Sequence, residues 1–183
     1  MAELATFLLH PGDRAPDFSL QGVDGKTYRL ADFSARPLLL VSFWCNHCPY
    51  VQAWEGRMVD LARRFEPKGL ATVLVNSNDA RAYPEDRFES MVLRARTHHY
   101  PFPYLHDESQ QVARAYGALV TPHPMLFDRD RKLLFQGRID NDHQRPERVT
   151  ERFLERAIEQ ALKGETVRPA ELSVTGCSVK WLS

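Results

Sequence analysis

An apolar run, Leu38 to Trp44, leads directly into the sequence Cys45-Asn46-His47-Cys48-Pro49. A continuous run of this kind is typical of a strand that is buried on both faces of a sheet. Apolar residues then recur at intervals of three and four, which predicts an amphipathic helix. The predicted buried face of this helix consists of Val51, Trp54, Met58, Leu61 and Phe65. Two cysteines therefore lie at a strand-to-helix junction, and this junction commits the chain to an α/β fold.

The C-x-x-C spacing at this junction indicates dithiol redox chemistry. A helix start offers unpaired backbone N–H groups and the positive end of the helix dipole, and both favour a thiolate over a thiol. The second sulfur follows within one helical turn, close enough for a disulfide to form. We predict that Cys45, at the exposed helix end, attacks and that Cys48, shielded by the next turn, resolves. His47 either stabilises a thiolate when protonated or is a solvent-facing spacer, and the sequence leaves both interpretations open.

Length and charge limit the function classes. The 183 residues suffice for one well-buried domain, predicted as 1–183 with a core over about 12–164 and a tail over about 165–183. Lysine plus arginine and aspartate plus glutamate number 24 each, so no net field draws the protein to nucleic acid or to an anionic membrane. The N-terminal stretch lacks the pattern of a signal peptide, and three cysteines do not suggest a secreted disulfide framework. We expect a reducing, cytoplasmic setting.

The rest of the chain alternates strand-like and helix-like patterns. A hairpin turned at Asp24-Gly25 precedes the first buried strand, and a second apolar run, Leu70 to Val75, follows the helix, which makes a βαβ unit. The later pattern predicts a helix over 85–98, a short strand over 102–105, a helix over 109–116 with Ser109 as N-cap, a strand pair over 125–128 and 132–139, and a last helix with Pro146 near its first turn.

The segment Tyr116-Gly117-Ala118-Leu119-Val120-Thr121-Pro122, followed by Met125-Leu126-Phe127, resembles the Tyr-Gly-x-x-x-x-Pro segment of the thioredoxin-like fold in its peroxiredoxin-related version. The resemblance implies a central mixed sheet flanked by helices, with an N-terminal β-hairpin and an insertion before the cis-proline strand. It also implies that Pro122 is cis and faces the disulfide, and that Thr121 offers backbone polar groups to an incoming chain. Trp44 and His47 would complete the substrate-binding side.

Three further segments carry a closer resemblance: Cys45 to Val51, Gly137-Arg138-Ile139-Asp140, and the tail Gly176 to Trp181. Together they are similar to peroxiredoxin-like, AhpC/TSA-type thioredoxin family proteins. This resemblance implies a thiol-disulfide oxidoreductase that needs no cofactor. Its partners would be a disulfide-containing protein or a small thiol substrate, together with a thiol reductant.

One part of the thioredoxin pattern is missing. Leu39 stands six residues before the first cysteine, where thioredoxin keeps a buried carboxylate for proton transfer. Asp79 and Asp107 each follow a predicted strand, but capping or turn formation is the expected role of both. Arg138 and Asp140 lie two apart on a predicted strand and share a face, so we expect an ion pair between them.

A thiol peroxidase is the alternative function. Matching Cys48-Pro49 to the peroxidatic Cys-Pro of peroxiredoxins makes Cys48 the reactive sulfur and Cys45 or Cys177 the resolving one, although Cys45 then replaces an expected threonine. Aligning Phe43-Trp44 with the Phe-Trp of cytochrome-maturation thioredoxins also places Cys48 at the attacking position. The order of attack is therefore open at this point.

The third cysteine and the histidines leave further alternatives. Cys177 is either a resolving thiol that folds back to the C-x-x-C pair or a thiol packed against the sheet, and we favour the packed thiol. The third alternative is a non-catalytic binding or zinc-structural module, and a zinc site would need Cys177 with His47, His99 or His123 as extra ligands. Without a second paired motif we expect no metal. His123, after Pro122, is expected in an exposed loop.

Overall fold

The centre of the fold is a strand-helix-strand unit. In the computed structural model, which describes residues 6–183, the strand Leu38–Trp44 (β3) is buried along its whole length and pairs in parallel with Leu70–Asn76 (β4). The helix Pro49–Phe65 (α1) connects them, and the face that contains Trp54 and Met58 is buried in the core. The βαβ unit predicted from the hydrophobic pattern is thereby confirmed.

The other elements extend this unit on both sides. They are β1 (Ser19–Gly22), β2 (Thr27–Arg29), α2 (Phe88–Thr97), β5 (Tyr104–His106), α3 (Gln111–Tyr116), β6 (Val120–Thr121), β7 (His123–Phe127), β8 (Leu133–Gln136), α4 (Phe153–Leu162) and β9 (Cys177–Ser178). Seven strands form one sheet in the order β2-β1-β5-β4-β3-β7-β8, in which β4 pairs in parallel with β3 and β5 and the other pairs are antiparallel. A central mixed sheet flanked by helices was predicted, and it is present.

Side chains on the two faces of the sheet form separate cores. One core joins α1, α2 and α4 through residues such as Met58, Met91 and Ile158. The other core lies under α3 and contains Tyr116 together with Val179 from the C-terminal tail. Val179 is buried in this core, so it anchors the C-terminal tail to the sheet. The predicted single domain also includes residues 1–5, which lie outside the described residues.

Two predicted helix starts were wrong. Helix α3 begins at Gln111, its N-cap is Gln110 rather than Ser109, and the Asp107 carboxylate accepts hydrogen bonds from backbone N–H groups of its first turn. A carboxylate satisfies these donors better than a serine hydroxyl because it carries charge. Helix α4 begins at Phe153, whereas Pro146 lies in a separate 3-10 turn, since proline suits the first position of any helical turn.

The tail returns to the sheet after α4. Glu171 forms a bridge to Gln136 at the end of β8, and further on β9 pairs antiparallel with β6 in a second, two-stranded sheet. In this pairing Cys177 lies opposite Thr121. Within residues 6–183, no helix combines the length and the apolar character needed to cross a membrane.

Candidate active site

Three cysteines from distant parts of the chain meet around Thr121. The Sγ atoms of Cys48 and Cys177 are 2.8 Å apart. Thr121 contacts two of the three sulfurs, since its Oγ1 lies 3.2 Å from Cys45 Sγ and its carbonyl oxygen lies 3.3 Å from Cys48 Sγ. All three cysteines are unbonded thiols in this structure. The predicted pair and the predicted third thiol are therefore brought together in one site.

Helix α1 begins at the second cysteine of the motif. Cys48 is its N-cap, with extended backbone angles, and Pro49 occupies the first helical position. The carbonyl oxygen of Cys48 accepts the first helical hydrogen bond, from the N–H of Gln52 at 3.0 Å. Cys45 directly follows β3, three residues before the N-cap of α1. The unpaired N–H groups and the dipole of the helix start therefore act on Cys48.

The surroundings of the sulfurs decide which one ionises. The pKa of Cys48 is lowered to about 4, first by the hydrogen bond that the Cys45 thiol donates and then by donors from Cys177 and from the Val51 N–H, which together outweigh burial. The same hydrogen bond, burial and the charge of Asp86 raise the pKa of Cys45. Burial and the contact with Cys48 raise the pKa of Cys177 to about 11. The directions of these shifts favour Cys48 as the thiolate.

This result runs against the order of attack predicted from the motif. The prediction that Cys45 attacks assumed that the helix starts at the first cysteine, whereas it starts at Pro49. Both alignments that placed Cys48 at the reactive position agree with the observed helix start. The sequence signal that pointed to the correct boundary was Pro49, because proline favours the first helical position.

The peptide-docking edge next to the cysteines is occupied. The Thr121–Pro122 bond is cis, as predicted. The edge of Thr121 already pairs with Cys177, and a Cβ atom added to Gly176 would lie 2.2 Å from the Thr121 carbonyl oxygen. Cys45 and Cys48 are 0% exposed, while Cys177 is only partly buried. The chain's own tail therefore covers the surface that the resemblance assigned to an incoming chain.

A buried carboxylate that the sequence did not single out lies beside Cys45. Asp86 is completely buried and accepts hydrogen bonds from the Asn46 N–H at 2.7 Å and from the side-chain amides of Asn76 and Asn78. His47 Nδ1 lies 2.5 Å from its second oxygen. No spacing rule points to Asp86, because it lies in a short 3-10 turn far from the cysteine motif in sequence.

Trp44 and His47, which flank Cys45 and Cys48 in sequence, differ in exposure. Trp44 is fully buried and its Nε1 donates a hydrogen bond to the Tyr100 hydroxyl, so it lies in the core and not on the predicted substrate side. His47 is half-buried and stacks on the Tyr83 ring at 5.4 Å. It is therefore more than a solvent-facing spacer, since it bridges Asp86 and the surface.

Several expectations for polar residues near the site were wrong. His123 is not in an exposed loop but is buried in β7, where its Nε2 contacts Gln136 and burial lowers its pKa to about 4. Arg138 and Asp140 do not pair with each other. Asp140 instead accepts hydrogen bonds from Trp54 and Arg57 of α1, while Arg138 lies over the Phe153 ring. The predicted strand over 132–139 ends at Gln136, so residues 138 and 140 do not share a strand face, and helices packed on the sheet provide their partners.

The other acidic candidates have local roles. Asp79 accepts a hydrogen bond from the backbone N–H of Arg81 in a turn, and Asp107 caps α3 and accepts one from the Ser77 hydroxyl. Both roles match the expectation of capping or turn formation. Neither residue replaces the missing carboxylate at Leu39.

Within residues 6–183, one group of three potential metal-binding side chains is close together, namely Cys45, His47 and Asp86, with their donor atoms within 4.8 Å of one another. His47 and Asp86 already bond to each other, and a structural zinc site takes four ligands. His99 and His123, the other residues considered for zinc, are not in this group. The arrangement is that of a hydrogen-bonded pair beside a thiol.

Known proteins provide a comparison for this arrangement. The model of the AhpC/TSA family matches residues 11–136. An uncharacterized conserved protein from Geobacillus kaustophilus is 41% identical, with a TM-score of 0.89 over 96% of this chain and 94% of that one. A putative thiol:disulfide interchange protein DsbE from Chlorobium tepidum is 28% identical, with a TM-score of 0.64 over 84% of this chain and 99% of that one. These and other neighbours with the thioredoxin fold confirm the predicted fold class.

A curated relative agrees with the structural neighbours. The thiol-disulfide oxidoreductase ResA of Geobacillus thermodenitrificans (strain NG80-2) is 28% identical over 122 residues, which is 67% of this chain. The match spans 66% of the length of that relative. Relatives named thiol-disulfide oxidoreductases thus support redox chemistry as the general function.

Proposed function

Because the chain belongs to the AhpC/TSA family, whose model covers residues 11–136, we propose that it is a thiol-disulfide oxidoreductase in which Cys48 attacks and Cys45 resolves. The observation that carries this proposal is the position of Cys48 at the N-cap of α1, where neighbouring donors hold its pKa near 4. A thiolate is the nucleophile in disulfide exchange, and Cys48 supplies one at neutral pH.

The reaction begins with attack by the Cys48 thiolate on one sulfur of a partner disulfide. The partner's S–S bond breaks, one half leaves as a thiolate, and the other half stays bonded to Cys48 as a mixed disulfide. The Cys45 thiol then loses its proton and attacks the Cys48 sulfur. This step releases the second half as a thiolate and forms a Cys45–Cys48 disulfide, which a thiol reductant converts back to two thiols.

The proton of Cys45 needs an acceptor, because the pKa of this thiol is raised. His47 and Asp86 have donor atoms within 4.8 Å of the Cys45 sulfur and share a hydrogen bond. In the proposed mechanism this pair takes the proton while Cys45 attacks. It would thereby supply what a carboxylate at Leu39 supplies in thioredoxin.

The partners follow from the chemistry of the site. The substrate is a disulfide-containing protein or a small thiol in its disulfide form, and the electron donor is a thiol reductant. The proposal places this exchange in a reducing cytoplasm, where such reductants keep thiols reduced. With 24 basic and 24 acidic residues, the protein has no net charge that would favour nucleic acid or a membrane surface.

A second candidate function is a thiol peroxidase with Cys48 as the peroxidatic sulfur. The Cys48-Pro49 pair at the start of α1 favours it, because this is where the peroxiredoxin alignment places the reactive cysteine. The hydroxyl expected at position 45 is absent, and Thr121 Oγ1 contacts Cys45 at 3.2 Å. This function therefore takes second place.

Two assays on the purified, reduced protein separate these functions. The oxidoreductase should reduce insulin disulfides in the presence of a thiol reductant and should consume hydrogen peroxide slowly. Rapid peroxide consumption with little insulin reduction would favour the peroxidase instead. Metal analysis of the same sample tests the zinc-structural module, for which both assays would be negative.

A further inference from the structure

The tail strand β9 lies where the proposed mechanism needs a partner. It pairs antiparallel with β6, and this pairing places Cys177 opposite Thr121, the residue before the cis-proline. The Cys177 sulfur is 2.8 Å from Cys48 Sγ. A partner cysteine bonded to Cys48 would have to occupy the same place, since a disulfide brings two sulfurs to about 2.05 Å. The tail therefore places Cys177 where the cysteine of a partner protein would lie in a mixed disulfide with Cys48.

The contacts that hold the tail are specific. Gly176 fits against the Thr121 carbonyl oxygen, where any side chain would clash. Beyond Cys177, Val179 is buried and the Lys180 carbonyl oxygen accepts hydrogen bonds from the Asp79 N–H and the Gln110 side chain, both at 2.8 Å. Such paired and buried backbone is costly to lift away. A reductant would therefore meet the site with the tail in place.

With the tail in place, the three sulfurs differ in access. Cys45 and Cys48 are 0% exposed, whereas Cys177 is only partly buried. We propose that Cys177 is the exchange thiol of this protein: the thiol reductant bonds to Cys177, and Cys177 passes the electrons to Cys48 and so to Cys45. This inference rests on the proposed function, because it needs a buried pair that cycles between dithiol and disulfide.

The relay balances at each step. The Cys177 thiol, losing its proton to solvent, attacks Cys48 in the Cys45–Cys48 disulfide, so Cys45 leaves and takes up a proton while a Cys48–Cys177 disulfide forms. A reductant thiolate then attacks the Cys177 sulfur, and Cys48 leaves as a thiolate. A second reductant thiolate attacks the reductant's own sulfur in this mixed disulfide. The reductant leaves as a disulfide, and Cys177 takes up a proton from solvent.

The chemistry of the two sulfurs favours attack on Cys177. In a Cys48–Cys177 disulfide, attack on Cys177 expels Cys48, whose pKa near 4 makes it the better leaving group. Attack on Cys48 would expel Cys177, whose pKa is about 11. The accessible sulfur is thus also the electrophilic one.

The pairing of β9 with β6 also limits which class of reductant can reach the site. While β9 pairs with β6, no second extended chain can pair with Thr121, so a protein substrate reaches Cys48 only when the tail is displaced. A small thiol needs only one accessible sulfur and no strand pairing. We therefore choose reduced glutathione as the probe for this step.

The first experiment compares rates of reduction. Wild-type protein, Cys177→Ser and the matched control Ser178→Ala are oxidised with diamide, and loss of the Cys45–Cys48 disulfide on addition of glutathione is followed by mass spectrometry. We expect Cys177→Ser to react about tenfold or more slowly than wild type and Ser178→Ala to react at the wild-type rate. Equal rates in all three proteins would overturn the exchange role of Cys177.

A second variant keeps the two proposals distinguishable. Oxidised Cys45→Ser should contain a Cys48–Cys177 disulfide, and on addition of limiting glutathione the adduct should be found on Cys177. A glutathione adduct on Cys48, or the absence of the Cys48–Cys177 disulfide, would overturn this inference alone. If Cys177→Ser instead forms no Cys45–Cys48 disulfide, the proposed function itself fails.

Discussion

Cys45 and Cys48 are three residues apart and equally buried, yet their pKa values shift in opposite directions. The groups that lower the pKa of Cys48 are hydrogen-bond donors, two thiols and the backbone of the first helical turn. The charged groups that raise the pKa of Cys45 are the Cys48 thiolate and the carboxylate of Asp86. The two sulfurs belong to one motif, but the surroundings of Cys48 favour a negative charge and those of Cys45 disfavour it.

The spacing of two cysteines in a motif therefore does not decide which one attacks and which one resolves. The helix start and the nearest charges decide this, and here both favour Cys48 as the attacking sulfur. Burial acts against ionisation at both sulfurs, so it cannot separate them. The four predictions below test the contrast, beginning with the strongest effect.

Replacement of each sulfur by oxygen should have opposite consequences. Cys48→Ser should lower the rate of disulfide exchange by about 100-fold or more, because a serine hydroxyl does not ionise near neutral pH. Cys45→Ser combined with Cys177→Ser, which removes the other neighbouring thiol, should still attack and should accumulate a mixed disulfide on Cys48. Mass spectrometry after incubation with a model disulfide measures both. A mixed disulfide on Cys45 in the Cys48→Ser variant would reverse the assignment of roles.

The pH dependence of thiolate absorbance should show one acidic thiol. In the reduced wild-type protein, one thiolate should appear as the pH rises through about 4, and this step should vanish in Cys48→Ser. Because the folded pKa of Cys48 is below the ordinary thiol value of about 9, the stability from Cys48 ionisation is complete above pH 9 and lost as the pH falls through 4. Thermal unfolding of reduced wild type and Cys48→Ser should therefore diverge from acid toward alkaline pH. Parallel curves would contradict the low pKa.

The parts of this site that the sequence predicted are those with local signals. The cysteine pair, the buried strand before it and the amphipathic helix after it all follow from residues within one stretch of chain. The cis bond at Pro122 came from a short resemblance and is confirmed. Local hydrophobic period and motif spacing are enough for such features.

The parts that escaped prediction depend on contacts between distant residues. The pairing of β9 with β6 involves two strands of two residues each, which have no periodicity to detect, so Cys177 was expected to pack as an isolated thiol. Asp86 reaches the site through a turn with no motif. The predicted order of attack assumed that the helix starts at Cys45, whereas it starts at Pro49, and boundaries are the least certain feature of a sequence pattern.

Removal of the negative charge of Asp86 should reduce the difference between the pKa values of Cys45 and Cys48. Asp86→Asn should lower the pKa of Cys45, but it also removes the carboxylate of the pair that takes the Cys45 proton in the proposed mechanism, so the resolving step should slow and the mixed disulfide should persist longer than in wild type. The variant should also lose about 1–3 kcal/mol of stability, since a buried hydrogen-bond network is altered. Asp130→Asn, at an exposed position, is the matched control and should change neither property. An unchanged thiolate titration of Cys45 in Asp86→Asn would remove Asp86 from the explanation.

The smallest expected effect concerns the hydroxyl of Thr121. Thr121→Val keeps the shape of the side chain and the carbonyl oxygen near Cys48, but removes the Oγ1 atom 3.2 Å from Cys45. Because this hydroxyl lowers the pKa of Cys45, its loss should raise that pKa further and slow resolution at most about fivefold, for a hydrogen bond worth about 1 kcal/mol. Attack by Cys48 should keep its rate in stopped-flow measurements with a model disulfide. If attack slows as much as resolution, the hydroxyl serves both sulfurs and the separation of their surroundings is not complete.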